Sequence, residues 1–189
     1  MYDVVLVAFE GPDRYSFVGG LATRMIDLAD ALLSRGYFVH HLFVGDPKLP
    51  AREEQADGRL VLERWSQWIS GFHPRDVYDG EDGKWRDFSR TVPSHVAELV
   101  IASATQGRRT VLLFEDWQTA DAAVGTAAIL SLRMPGAAAI LWNANNTYGF
   151  GRIDFDLLRR AASITTVSRF MRAEMSAVGV DAAVLPNGI

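Results

Sequence analysis

Residues Tyr2 to Val44 constrain the fold more than any other stretch, because three kinds of local pattern follow one another there in a fixed order. Val4, Val5, Leu6, Val7, Ala8 and Phe9 form a continuous apolar run rich in β-branched residues, the pattern of a strand covered on both faces. A polar loop from Asp13 to Ser16 leads to Gly19-Gly20. Beyond it the period changes, with Leu21, Met25, Leu28, Ala29, Leu32 and Leu33 at three- and four-residue steps and Arg24, Asp27, Asp30 and Arg35 falling elsewhere. This spacing predicts an amphipathic helix that stops at Gly36, followed by a second strand over Phe38, Val39, Leu42, Phe43 and Val44. A right-handed crossover makes the two strands parallel and puts the glycine loop at the carboxyl end of the first, where open α/β sheets place ligands.

Glycines at a helix N-terminus let an anion approach free backbone N–H groups and the positive end of the helix. They also serve simply as a tight turn requiring positive φ, and on the pair alone the turn is the stronger account, since neither G-x-G-x-x-G nor a Walker pattern is present.

The β-α alternation continues along the chain. Arg59 to Trp65 reads as a third strand after a polar connection from Lys48 to Gly58. Trp65, Trp68, Ile69 and Phe72 are spaced by one helical turn, which suits a sugar platform, a membrane foot or ordinary packing, and packing is favoured. Asp76, Asp79, Glu81, Asp82 and Asp87 crowd a segment with Gly80 and Gly83, but their spacing fails the calcium-loop pattern and a solvated loop is expected. Pro93-Ser94 is expected to open a helix that ends at Gly107. Thr110 to Phe114 is a buried strand followed by Glu115-Asp116-Trp117-Gln118, with Asp116 a candidate cap for a helix to Leu132 whose Gly125 allows close approach to the sheet. Ala137 to Trp142 is the next strand, and Asn143, Asn145, Asn146 and Thr147 behind it supply neutral hydrogen-bonding groups suited to hydroxyl-rich ligands, or Asx turns. A short helix over Asp154 to Ala162, a strand over Ser163 to Val167, a helix capped by Ser168 and a strand over Ala182 to Leu185 complete the pattern.

The chain has 189 residues, 49% of them hydrophobic, which suits one domain with one core. Its formal charge of −4 carries no basic stripe and argues against nucleic acid as a partner. No cysteine is present, which removes disulfides and thiolate metal sites and fits a reducing cytoplasm. The N-terminus enters the first strand at once, so no signal peptide is expected, and no apolar run reaches the ~20 residues of a membrane span. A peripheral membrane contact is left open. Adjacent strand residues point to opposite faces, so His40 and His41 do not form one metal site, and structural or surface roles are expected for all four histidines.

Four segments taken in order resemble a known family: Phe17-Val18-Gly19-Gly20-Leu21-Ala22, Glu115-Asp116-Trp117-Gln118-Thr119-Ala120, Thr166-Val167-Ser168-Arg169-Phe170, and Leu185-Pro186-Asn187-Gly188-Ile189. Their order and spacing are similar to the N-terminal, acceptor-side domain of a GT-B glycosyltransferase of the retaining group 1 (family 4) type, related to glycogen and starch synthases. The resemblance implies a Rossmann-like three-layer α/β/α domain with a mainly parallel sheet over residues 1–186, and the start of an interdomain hinge at 187–189. A C-terminal donor-binding domain, absent from this sequence, would then be its partner. The full-length enzyme would transfer a sugar from a nucleotide-sugar donor to an acceptor hydroxyl, and this half alone would be inactive. The nucleotide-sugar is a co-substrate, so no cofactor and no metal are implied.

By the same resemblance Gly19 and Gly20 approach the donor phosphates, and Asp116 and Asn143 lie at the reacting centre. Glu115, Trp117, Asn145, Asn146, Ser168 and Arg169 line the acceptor side of the cleft, and Asn187 and Gly188 form the hinge. Two positions depart from the glycogen synthases: the lysine usual two residues before the glycine pair is Phe17, and the histidine before the aspartate-tryptophan pair is Glu115. They point away from glucan elongation within the group. Two other readings are weighed. A nicotinamide-dependent oxidoreductase lacks its dinucleotide fingerprint and its acidic ribose-binding residue after strand two. A non-catalytic sugar- or nucleotide-binding module shares the fold, and fold alone does not separate it from the transferase half.

Overall fold

A computed structural model of the chain describes residues 2–187. The backbone forms β1 (Tyr2–Val7), α1 (Gly20–Ser34), β2 (Phe38–Val44), β3 (Arg52–Gln55), β4 (Leu60–Trp65), α2 (Gln67–Ser70), α3 (Glu81–Thr105) and β5 (Arg109–Glu115). There follow α4 (Ala120–Arg133), β6 (Ala138–Ala144), α5 (Phe155–Ala161), β7 (Ser163–Thr166), α6 (Arg169–Ala177) and β8 (Ala183–Val184). The eight strands make one sheet in the order β3-β4-β2-β1-β5-β6-β7-β8, parallel except for the β3–β4 pair.

The strand order reverses at β1, so helices fall on both faces, as right-handed crossovers require. Met25 and Ala29 of α1 pack on Val4, Leu6, Val39 and Phe43. The other face carries the larger core, where Val92, Val96 and Val100 of α3, Leu130 of α4, Leu158 of α5 and Met175 of α6 close over Val5, Val7, Leu112, Phe114 and Trp142. The chain is therefore a Rossmann-like three-layer α/β/α domain with a mainly parallel sheet.

Three elements differ from their sequence patterns. β3 lies inside the expected polar connection: Arg52, Glu53, Glu54 and Gln55 have no apolar alternation because they pair on one side only, at the sheet edge. The helix expected to open at Pro93-Ser94 begins twelve residues earlier, at Glu81, and carries Pro93 in its interior. Glu81, Asp82 and Asp87 of the expected acidic loop accordingly sit in its opening turns, the first two favourably near the positive helix end. Pro93 is accommodated by Gly125 of α4, where a Cβ would stand 2.9 Å from the proline ring, so that glycine permits contact between α3 and α4 rather than with the sheet.

The loop between β1 and α1 is fastened on every side. Asp13 accepts three hydrogen bonds from the buried Arg64 guanidinium, from Nε at 2.8 Å to Oδ2 and 3.1 Å to Oδ1 and from Nη2 at 2.9 Å to Oδ1. Ser16 donates to the Val44 carbonyl, and the Tyr15 carbonyl accepts from Val77 N–H at 3.1 Å. Lys84, wholly buried, donates to the Tyr15 hydroxyl and, at 3.0 Å each, to the carbonyls of Asp76 and Val77. Burial without a directly bonded carboxylate pulls the Lys84 ammonium down to about 8. The glycine pair is thus presented from a rigid base.

Candidate functional site

The carboxyl ends of β1 and β5 bring three carboxylates to one rim, the end of β6 adds asparagines beside them, and each carboxylate is held differently. Glu10, just beyond β1, is buried, and its Oε2 accepts from the N–H groups of Gly19 and Ala22 at 3.0 Å each. Its Oε1 accepts the Tyr78 hydroxyl at 2.5 Å. Glu10 therefore caps α1 from outside the helix, satisfying two of the donors that a helix start leaves open. The N–H groups of Gly20 and Leu21 between them have no hydrogen-bond partner among the described residues. Gly19 is extended (φ −150°, ψ −160°), neither glycine has positive φ, and a Cβ at Gly20 would meet nothing within 4 Å. The tight-turn account of the pair therefore fails: nothing in this fold requires glycine at position 20.

Glu115 ends β5 with no exposed surface. Its Oε1 accepts from Arg24 Nε at 3.2 Å and Nη2 at 3.1 Å, and its Oε2 from Asn143 Nδ2 at 2.9 Å and Asn145 Nδ2 at 2.7 Å. The parallel register explains the row, since Glu115 lies opposite Asn143 and Asn143 opposite Thr165. Asn143 Oδ1 accepts the Thr165 hydroxyl at 2.9 Å, so both ends of that amide are committed. Arg24 also donates to Asn187 Oδ1, which ties α1 and β5 to the last described residue. Beside this junction lies a groove of about 620 Å3 between Gly20, Thr23, Arg24 and the Leu185–Asn187 segment.

Asp116 follows directly, with backbone angles (φ 66°, ψ 175°) that only glycine ordinarily adopts. It is overdetermined there: its N–H donates to the Asn143 carbonyl at 2.9 Å, and its own carbonyl accepts the Trp142 indole N–H at 3.0 Å and the Thr119 hydroxyl at 2.9 Å. Oδ1 accepts Trp117 N–H at 3.0 Å, and Oδ2 accepts Asn146 Nδ2 at 2.8 Å. Burial pushes the carboxyl up to about 7, only partly offset by those two hydrogen bonds. A carboxyl so poised can accept or hold a proton near neutrality, or take a hydrogen bond from a hydroxyl arriving at the rim. Next to it Trp117 packs between Trp85 at 5.6 Å and Tyr148 at 6.3 Å, with the Arg152 guanidinium 4.8 Å from its ring centre.

The sequence matches no known family model and none of the curated proteins. Solved structures do match. The catalytic domain of starch synthase IV from Arabidopsis thaliana, solved bound to ADP and acarbose, superposes with a TM-score of 0.64 at 16% identity. The match covers 99% of this chain and 52% of that one. Sucrose-phosphate synthase from Thermosynechococcus elongatus superposes with a TM-score of 0.58 at 14% identity, over 99% of this chain and 48% of its own. The fold is that of the N-terminal domain of a GT-B glycosyltransferase. The chain spans about half the length of the solved structures it matches.

Within this fold the described residues singled out from sequence gather at one rim but occupy different depths. Asp116 and Asn146 meet there, and Glu115, Asn143 and Asn145 form one buried network beneath them. Trp117 is buried against aromatic neighbours, so its ring faces the fold. Ser168 acts as the cap read from sequence, accepting Met171 N–H at 3.1 Å, while Arg169 beside it is exposed. Gly19 gives its N–H to Glu10, leaving Gly20 as the more open of the pair. Asn187 is joined to Arg24, and Gly188 lies outside the described residues.

Two participants had no sequence signal strong enough to single them out. Glu10 extends an apolar strand as an isolated acid, and its partner N–H groups are nine and twelve residues away. Arg24 falls on the polar side of the α1 period, which normally means solvent, yet its side chain is only 11% exposed. Among the described residues no helix is long and apolar enough to cross a membrane.

Proposed function

We propose that this chain is the acceptor-side half of a retaining, group 1 (family 4) glycosyltransferase that, at full length, moves a sugar from a nucleotide-sugar to an acceptor hydroxyl. Residues 1–186 form its first domain, and 187–189 begin the hinge to a donor-binding domain. The observation that carries this reading is Asp116, a buried carboxyl held in a glycine-type conformation at the rim where open α/β sheets bind ligands. Strain of this kind persists only where the surroundings enforce it, and here the backbone and side-chain hydrogen bonds described above around this one residue do so.

In this reading Asp116 orients the acceptor hydroxyl, with Asn146 steadying its outer oxygen. The Arg24–Glu115–Asn143–Asn145 network fixes the strand ends beneath, so that the rim does not shift when ligand binds. The open N–H groups of Gly20 and Leu21, at the positive end of α1, face the charge that develops on a departing diphosphate. Phe17 and Val18, both exposed beside them, would meet the second domain.

The test is kinetic. Asp116→Asn in the full-length protein should lower kcat/KM for the acceptor by roughly tenfold or more, the scale of losing an orienting or proton-accepting group. Hydrolysis of the nucleotide-sugar by water should fall less. Unchanged acceptor kinetics would remove Asp116 from the site, and absence of any nucleotide-sugar turnover would favour a binding module.

A further inference from the structure

Directly after β4 the rim carries a second surface that the carboxylate cluster does not use. The short helix α2 turns Ile69 and Ser70 inward and sends Trp68, 66% exposed, outward, and Phe72, just beyond the helix, is 79% exposed. Packing, the expectation for this aromatic spacing, holds for Ile69 but not for these two. They flank a groove of about 460 Å3 against α3, whose outer lip carries Arg86 and Arg90 one helical turn apart, both exposed. Arg75, exposed on the segment beyond Phe72, adds a third guanidinium held at 3.0 Å by Asp79.

The exposed formal charge of the groove, which His73 also lines, is one-sided, carried by Arg86 and Arg90. Its carboxylate, Asp87, is buried and accepts the Ser66 hydroxyl at 2.9 Å, and Arg90 approaches it no closer than 3.9 Å. A sugar ring offers donors and acceptors together and needs both in return, whereas Arg86 and Arg90 only donate. A lipid phosphate offers only acceptors and matches a guanidinium pairwise. An indole and a phenyl ring exposed side by side, bordered by cations, have the composition of a surface that settles at the boundary between headgroups and acyl chains.

We propose that Trp68 and Phe72, with Arg86 and Arg90 beside them, form a peripheral docking site for an anionic bilayer surface. The local guanidiniums supply the attraction although the chain as a whole carries a formal charge of −4. Because the charges are exposed, salt weakens the attachment, while the aromatic part persists.

The 189-residue chain is sedimented with vesicles of phosphatidylcholine alone and of phosphatidylcholine mixed with phosphatidylglycerol. Binding is expected to the mixed vesicles and to be much weaker to the neutral ones. Arg86→Gln with Arg90→Gln should reduce binding to the mixed vesicles by roughly tenfold, and Trp68→Ser with Phe72→Ser should abolish it. Circular dichroism and melting of both variants should match the parent, since all four side chains are exposed. Failure of the parent chain to sediment with the mixed vesicles overturns the proposal, as does undiminished binding by the Trp68→Ser, Phe72→Ser variant. Protection of Trp68 fluorescence by a soluble oligosaccharide, without vesicle binding, would assign the groove to carbohydrate instead. Neither negative outcome touches the role assigned to Asp116.

Discussion

Arg24 and Glu115, ninety-one residues apart in the chain, meet at 3.1 Å at the carboxyl end of the sheet, the carboxylate wholly buried and the guanidinium nearly so. Removing one partner of such a pair strands the other. Arg24→Ala leaves Glu115 with two amide donors and no cation, which should cost about 3–5 kcal/mol in urea unfolding. Pairing Arg24→Met with Glu115→Gln should recover most of that loss. If the single and double variants prove equally unstable, charge compensation is not what holds the junction. Because Arg24 also binds Asn187, hydrogen exchange at Leu185 to Asn187 should quicken in the single variant.

Asp116 makes stability depend on pH in a stated direction. Burial holds its carboxyl up to about 7 in the folded chain, against an ordinary value of 3.8 when exposed in the unfolded chain, so between those values the unfolded chain sheds a proton that the folded chain retains. Stability from this group is therefore highest in acid, falls as pH rises from about 4 to about 7 and is level above that. His41, buried and kept neutral down to about 4, acts oppositely below its ordinary value of 6.5, so the informative quantity is the difference between parent and Asp116→Asn. That difference should grow in the variant's favour up to pH ~7, and urea midpoints across the range measure it. A constant difference would contradict the raised pKa.

The conformation of Asp116 makes a separate prediction. Asp116→Gly should stabilise the fold by about 1–3 kcal/mol, because glycine adopts these angles freely. The same change removes the proposed acceptor-orienting group, so thermal stability should rise while acceptor use falls.

Gly20 and Gly149 should respond in opposite ways to alanine. At Gly149 φ is +75° and a Cβ would overlap the Trp117 indole, so overpacking alone should cost about 1–3 kcal/mol. At Gly20 there is open space and no positive φ, so alanine should leave the fold unchanged or firmer by about 0.4–1 kcal/mol. If a donor phosphate approaches that backbone, as the proposed function requires, Gly20→Ala in the full-length protein should weaken nucleotide-sugar binding despite the stable fold. Calorimetry on the two variants separates the effects.

Much of this could be read from residue patterns because the sheet is built from buried strands. β1, β5 and β6 announce themselves as apolar runs, and β2 as one interrupted by His40 and His41, since both of their faces are covered. β3 did not, because an edge strand of Arg52, Glu53, Glu54 and Gln55 buries nothing that leaves a period. The start of α3 was hidden because Gly80, Gly83 and the acidic residues read as loop, and Pro93 as a boundary. Only its contact with Gly125 reveals that the proline fits mid-helix. At the rim, segment resemblance located Glu115, Asp116, Asn143 and Asn146, but not their depth. Whether an amide faces a ligand or a neighbouring carboxylate depends on strand register, and register joins residues such as Glu115, Asn143 and Thr165 that are remote in the chain.

The two margins of the sheet have a consequence for behaviour at high concentration. An open eight-stranded sheet ends on both sides in unpaired peptide groups, the template on which chains stack into fibrils. On one margin β3 meets a newcomer with Arg52, Glu53 and Glu54, and on the other β8 offers only Ala183 and Val184, too short to seed a ladder. The same polar tetrad that hides β3 from pattern reading keeps neighbouring molecules from extending the sheet.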